Sequence, residues 1–231
     1  MEDVEYLVQE QIKAFNLHNM DLWLSYYDDN ASFYSFPNQM LFNGKENIKK
    51  IYTEQWNKYP EIKINVGNRI IFENYVIDLE TLNGIDSNKY IAINKIIDNK
   101  IKSVHFLKST DYHKHFNTET VINKQIDAYN NNDIDAYISF YTYDCKYISF
   151  PEHKVLIDGI DDLKDKFSKS FINKPDTKLT IERSILVNDY TANLELITGL
   201  KDKNYYMVSI LQVNDKDKIS NVWTINSNSN S

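Results

Sequence analysis

The sequence predicts an α+β protein made of two copies of one module in tandem, each with three N-terminal helices on a curved, mostly antiparallel mixed sheet. Three observations predict it: glycines and prolines that recur at one spacing, a one-sided helical stripe at the head of each copy, and alternating apolar strands behind it. The repeat comes first, because it sets how the rest is read. All four prolines pair off, Pro37 with Pro151 and Pro60 with Pro175, and four of the five glycines do likewise, Gly44 with Gly159 and Gly84 with Gly199. Gly and Pro punctuate the backbone, so matched spacing implies matched turns. The residues between agree: Gln11-Ile12 and Ala14 with Gln125-Ile126 and Ala128, and Ser35-Phe36-Pro37 with Ser149-Phe150-Pro151. Leu79-Glu80 likewise matches Leu194-Glu195, and Tyr90 matches Tyr205.

The elements follow in order within each copy. Val4, Leu7, Val8, Gln11, Ile12 and Phe15 form the i, i+3, i+4, i+7 stripe of a first helix, repeated by Val121, Ile122, Gln125, Ile126 and Tyr129. A short second helix is capped by Asn19 or Asp133, whose side-chain oxygens can accept from first-turn N–H groups, and Asp21 or Asp135 suits the helix dipole there. Its end is expected near Asp28, Asp29 and Asp144. A strand then leads to the Phe-Pro step, and a second short strand to the glycine. A third helix is expected over 46–57 and 161–172, followed by four hairpin-linked strands with turns at Asn74, Asp98-Asn99 and Asn188-Asp189. In one of these strands, alternate positions (Leu179, Ile181, Arg183, Ile185, Val187) are mostly apolar, as a half-buried strand requires. The organisation read from this is copy one at 1–108, a linker at 109–117, copy two at 118–226 and a low-complexity, disordered tail at 227–231.

Composition narrows the function. The chain is 42% hydrophobic, enough for real cores, and its 33 acidic residues outnumber its 26 basic ones. Scattered bases among more numerous acids argue against a nucleic-acid partner and against an anionic membrane surface. The N-terminal residues lack the basic-then-apolar pattern of a signal peptide, and no apolar run approaches the roughly 20 residues that span a bilayer. A cytoplasmic protein is expected. The single Cys145 excludes an intrachain disulfide. No phosphate-binding glycine loop, dinucleotide fingerprint or zinc spacing occurs, so neither cofactor nor metal is expected.

The order of elements, with Ala14-x-Asn16 and Ala128-x-Asn130 closing the first helix and a Phe-Pro step after the next strand, resembles the nuclear-transport-factor-2-like superfamily. Within it the nearest likeness is to SnoaL-like polyketide cyclases and ketosteroid isomerases. The resemblance implies cone-shaped modules, an apolar pocket between bent sheet and helices, and a small, largely hydrophobic ligand. The isomerases' oxyanion Tyr falls on Gln11 and Gln125, their base Asp on Phe36 and Phe150, and their protonated Asp on Asn94 and Ser209. None of the three is kept. Proton shuttling needs a group that titrates near neutrality, so isomerisation of that type is not expected. Tyr27 and Tyr141 match a supporting Tyr that some relatives carry on helix two. Tyr52 matches another on helix three, where the second copy has Phe167, so the first copy is expected to be the more polar. The cyclases' late-strand acid has no counterpart in Val104–Leu107 or Val222–Ile225. Strand alternation would point Val104, Phe106, Val222 and Thr224 into the pocket and His105 away from it.

Each candidate has a plainer alternative. Gln11 and Gln125 could tie a helix to strand backbone instead of facing a ligand carbonyl. The tyrosines could be core aromatics with satisfied hydroxyls, and His105 an interface residue. His113 and His115 make a weak metal pair without further ligands. Asp28, Asp29, Asp144, Asp161 and Asp162 read as turn and cap residues, and Cys145 lacks surroundings that would activate it. The leading expectation is a non-catalytic tandem pocket protein for a small apolar molecule. The alternatives are a SnoaL-type cyclase, isomerase or dehydratase with a relocated catalytic group, using Tyr27, Tyr52 and Gln11, and a protein–protein interaction module. Two fused copies are expected to pair internally, leaving the chain monomeric.

Overall fold

The computed structural model describes residues 4–85, 88–200 and 204–227, in two compact units that divide between Lys108 and Ser109. The rest of the low-complexity tail, 228–231, lies outside the described residues. The first unit runs α1 (Val4–Asn16), α2 (Met20–Ser25), β1 (Tyr27–Ser35), β2 (Gln39–Asn43), α3 (Lys45–Lys58), β3 (Lys63–Phe72), β4 (Tyr75–Asn83), β5 (Lys89–Ile97) and β6 (Lys100–Lys108). The second repeats it as α4 (Thr118–Asn130), α5 (Ile134–Ser139), β7 (Tyr141–Ser149), β8 (Val155–Asp158), α6 (Ile160–Asn173), β9 (Lys178–Val187), β10 (Tyr190–Thr198), β11 (Tyr205–Val213) and β12 (Ile219–Asn226). The chain is therefore α+β, in two like modules. Among the described residues no helix is long and apolar enough to cross a membrane.

Each unit holds one six-stranded mixed sheet, in the orders β2-β1-β6-β5-β4-β3 and β8-β7-β12-β11-β10-β9. Only β1–β6 and β7–β12 are parallel among these pairings; hairpins make the others antiparallel. Asn19 and Asp133 cap α2 and α5 as expected, accepting from Leu22 N at 3.1 Å and Ala136 N at 3.0 Å. These helices end sooner than the sequence suggests. The Tyr26 and Phe140 carbonyls are taken by Ile101 N and Ile219 N of the neighbouring strands, so the chain passes straight into β1 and β7. Asp28, Asp29 and Asp144 consequently lie on strands and not at a helix end.

The Ala-x-Asn step has a mechanical role. Asn16 Oδ1 accepts from Ile64 N at 2.7 Å and its Nδ2 donates to Ile64 O at 2.9 Å. Asn130 makes the same pair of bonds to Leu179, also at 2.7 and 2.9 Å. One amide thus imitates a strand neighbour and pins the end of the long helix to the outer strand, satisfying both backbone groups. The helix-side core of the first unit is rich in rings, with Phe15, Trp23, Tyr27 and Phe33 buried among Leu7, Val8, Ile48, Ile62 and Val104.

A β-bulge bends each outer strand. Val66 pairs with Glu80 but Asn68 with Leu79, leaving Gly67 over, and Ile181 pairs with Glu195 but Arg183 with Leu194, leaving Glu182 over. The extra residue reverses the alternation. Leu179 and Ile181 pack on the helix-side core, whereas Ile185 and Val187, past the bulge, are buried outside it. The single apolar stripe expected along this strand is thus two half-stripes on opposite faces. The segment read as a linker is tied to the second unit. Asp189, buried beside the β9–β10 turn, accepts from Ser109 Oγ and Thr110 Oγ1 at 2.7 Å each.

Candidate functional site

Gln11 projects from α1 beneath the sheet and donates from Nε2 to the Tyr27 hydroxyl at 2.9 Å; Gln125 does the same to Tyr141 at 3.2 Å. Both amides are buried and meet a phenol, not strand backbone. Tyr27 and Tyr141 open β1 and β7 and do not lie on the second helices, as the resemblance implied. Burial, then the neighbouring Tyr52 and Glu80, holds the Tyr27 pKa well above its ordinary value. Tyr52 on α3 is raised by burial and then by Glu80. Both phenols are therefore hydrogen-bonding groups and not bases.

The group these tyrosines face is Glu80, on the helix side of β4 and 4% exposed. It accepts from the Tyr90 hydroxyl, across on β5, at 2.8 Å. Burial, then the charge of Asp78, pushes its pKa up to about 8 against the opposing pull of Tyr90 and Arg69. Asp78, two residues earlier on the same face, is spoken for: Arg69 Nε and Nη2 on β3 donate to its two carboxylate oxygens at 2.7 and 2.8 Å. Burial still holds Asp78 above the usual carboxylate value despite that guanidinium. Glu80 makes no ion pair among the described residues, and the group that donates to it is a phenol, an arrangement in which a carboxyl can take up or give up a proton near neutrality.

The second unit repeats the carboxyl and changes its company. Glu195, 7% exposed, accepts from the Ser209 hydroxyl, and burial raises its pKa to about 7 against that bond. Beside it the hydroxyls of Tyr137, Tyr141 and Tyr147 form a closed triangle with edges of 3.0, 3.0 and 2.6 Å. The corresponding positions of the first unit are Trp23, Tyr27 and Phe33. Ser184 and Thr191 both donate to Asn193 Oδ1 at 2.8 Å, while Asn193 Nδ2 and Thr224 Oγ1 are buried with no partner among the described residues. The second unit, not the first, is the more hydroxyl-rich, because replacing Tyr52 by Phe167 is outweighed by two added phenols.

The other expected residues are placed as follows. Asn94, Val104 and Phe106 of the first unit and Val222 and Thr224 of the second lie on the helix side of their sheets, Asn94 donating to Val76 O at 3.4 Å. Phe167 packs edge-on against Tyr129 at 6.2 Å. Phe36 and Phe150 directly follow β1 and β7, at cis Phe-Pro bonds, and are not among the residues of the helix-side cores. His105 lies on the opposite face, buried and stacked on Tyr34 at 4.5 Å. His113 and His115 are exposed, and the described residues hold no cluster of metal-ligating side chains. Burial, then Asp144, pushes the Cys145 thiol up to about 11.

One equivalence changes. Thr81 pairs with Lys89 but Leu196 with Tyr206, so β11 is entered two residues later than β5. In register, Asn94 corresponds to Leu211, Ala92 to Ser209, and Tyr90 to Met207; the matches of Asn94 with Ser209 and Tyr90 with Tyr205 are linear, not spatial. That shift explains why Glu195 draws its hydrogen bond from a serine. Sequence reasoning used Leu-Glu only as evidence of the repeat and missed Glu80 and Glu195 as site residues. The signal was present: an acid amid apolar strand residues, at the same place in both copies.

No family model matches the sequence, and no curated protein does. Solved structures do match. A cystatin-fold protein from Novosphingobium aromaticivorans is 22% identical over 48% of this chain and 98% of its own, with a TM-score of 0.44. A putative ketosteroid isomerase from Kribbella flavida is 22% identical over 49% of this chain and 80% of its own, at 0.42. A SnoaL-like protein of unknown function from Burkholderia thailandensis is 14% identical over 48% and 93%, at 0.41. Proteins described as NTF2-like match over a similar share of the chain. Each match spans about half the chain.

Proposed function

We propose that each unit binds a small, mostly apolar molecule whose one polar group is held by the buried glutamate, Glu80 or Glu195. The observation that carries this reading is the recurrence of that carboxyl, on the same face of the equivalent strand in both copies, accepting among the described residues from a hydroxyl and from no cation. Burying a carboxyl costs on the order of several kcal/mol of desolvation, and a structural role would be served as well by an apolar residue. Half-buried rings around it, Phe42, Tyr52 and Phe106 in the first unit, supply the apolar surface. Native mass spectrometry of the protein purified from its own source, followed by denaturation and identification of what is released, tests this. One or two small molecules per chain are expected, lost on Glu→Gln substitution; a ligand retained in the Glu80→Gln, Glu195→Gln double variant removes the glutamates from the reading.

A second reading, proton transfer on the bound molecule, is favoured by one feature. Both carboxyls sit near neutral pKa, about 8 and about 7, where a general acid–base is most effective. Turnover of whatever the mass spectrometry identifies, with a pH–rate profile that disappears in Glu80→Gln or Glu195→Gln, is the result expected from it. Unchanged turnover in both variants rules it out.

A further inference from the structure

A run of aromatic rings leads from the half-buried edge of the first unit to Glu80. Phe42 stacks on Phe33 at 4.8 Å, Tyr52 lies 6.0 Å from Phe33 and 6.2 Å from Phe42, Phe106 lies 5.9 Å from Phe33, and Tyr90 lies 5.8 Å from Phe106. Tyr90 then bonds Glu80. We infer that the first unit binds a small organic ammonium ion, with its positive charge set against the Glu80 carboxylate and its alkyl groups against these rings. The inference rests on the binding reading above and adds the chemical class of the ligand.

The argument is one of complementarity. Aromatic faces carry negative charge density and attract cations, most strongly where the contact is desolvated. A carboxylate at the end of such a run reinforces the same preference. An anion would meet Glu80 and Asp78, and Arg69, a cation on that face, is already bidentate on Asp78. A neutral ligand would leave the carboxyl protonated and make no use of the rings' charge. The charged and titratable groups around Glu80 among the described residues include Arg69 on β3, Asp78 on β4, Tyr90 on β5, Tyr27 on β1 and Tyr52 on α3, with Glu5 on α1 3.6 Å from Arg69; their balance keeps the site net acidic once Glu80 ionises.

The second unit serves as an internal control. In register, Phe33, Phe42, Tyr52, Phe106 and Tyr90 are replaced there by Tyr147, Ile157, Phe167, Thr224 and Met207. Most of the ring run is gone while the glutamate stays. Only the first unit is therefore assigned this ligand.

Calorimetry on the full chain with choline and its uncharged isostere 3,3-dimethylbutan-1-ol tests the inference. One choline per chain is expected, bound at least about tenfold more tightly than the alcohol, and weakened at least about tenfold by Glu80→Gln but not by Glu195→Gln. Because an ammonium ion needs Glu80 ionised, wild-type affinity should rise by roughly a hundredfold between pH 6 and the plateau above pH 8. Equal binding of choline and the alcohol, or a choline affinity flat with pH, overturns the ammonium assignment while leaving small-molecule binding intact. Absence of binding by either probe also overturns it, and the mass spectrometry above then decides the broader reading separately.

Discussion

Glu80→Gln should make the protein more stable at alkaline pH. In the folded chain the carboxyl has a pKa of about 8, against an ordinary value of 4.5. Between those values the folded state holds a proton that the unfolded state has released, so stability is full below about pH 4.5 and is lost as pH rises to about 8. At about 1.36 kcal/mol for each pH unit of that interval, the loss is roughly 5 kcal/mol. Glutamine keeps an oxygen for the Tyr90 hydroxyl and cannot ionise, so the variant should escape most of the loss. Urea denaturation followed by tryptophan emission reads this out, since Trp23 and Trp56 report the first unit and a Trp223→Phe background silences the second. At pH 5 the two proteins should unfold at similar urea concentrations. At pH 9 the variant should be the more stable by a few kcal/mol, about 3–5. Parallel losses in both proteins would refute the reasoning, because the destabilising proton would then belong to another group.

Arg69→Met should cost about 3–5 kcal/mol at neutral pH, because it strands a fully buried Asp78, and much of that loss should be recovered in the Arg69→Met, Asp78→Leu double variant, as measured by the same denaturation. Gly199→Ala should be more damaging than Gly84→Ala: both have positive φ, but a Cβ at 199 would lie 2.0 Å from the Asp176 carbonyl oxygen, against 3.2 Å from Glu61 backbone at 84, and thermal unfolding will rank them. Asn130→Ala should lower stability by about 1–3 kcal/mol and speed hydrogen exchange at Leu179 N before the inner strands respond.

Most of the fold was legible because its signals are local. A cap such as Asn19, an amphipathic stripe such as that of α1, and a turn such as Asp98-Asn99, where both residues have positive φ, each act over a few residues. The end of the second helix was not local. It is set by Ile101 and Ile219 taking carbonyls from a strand far away in sequence, and no helical signal records that. The site was less legible for the same reason. Gln11 and Tyr52 could be placed by analogy with the helices that carry them, whereas Tyr27 opens β1 and not the helix the analogy gave it, and Glu80 acquires its character from Tyr90, Asp78 and Arg69 across three strands. The bulges at Gly67 and Glu182 matter here too, because they fix which face of the outer strand meets each glutamate's neighbours.

The two-residue offset of β11 carries an evolutionary lesson about parity. Side chains on a strand alternate between faces, so an insertion of one residue in the preceding hairpin would have turned the whole strand inside out, sending Ser209 and Leu211 away from the helices and Val208 and Ile210 toward them. An insertion of two leaves inside and outside unchanged and slides every inward residue along by one place. One small, even edit could thus exchange the partner offered to an unchanged glutamate, without substituting any residue within hydrogen-bonding reach of it. Hairpin loops in tandem modules of this kind can act as vernier screws on the chemistry of the interior, and even-numbered loop insertions are the natural library in which to look for new specificities.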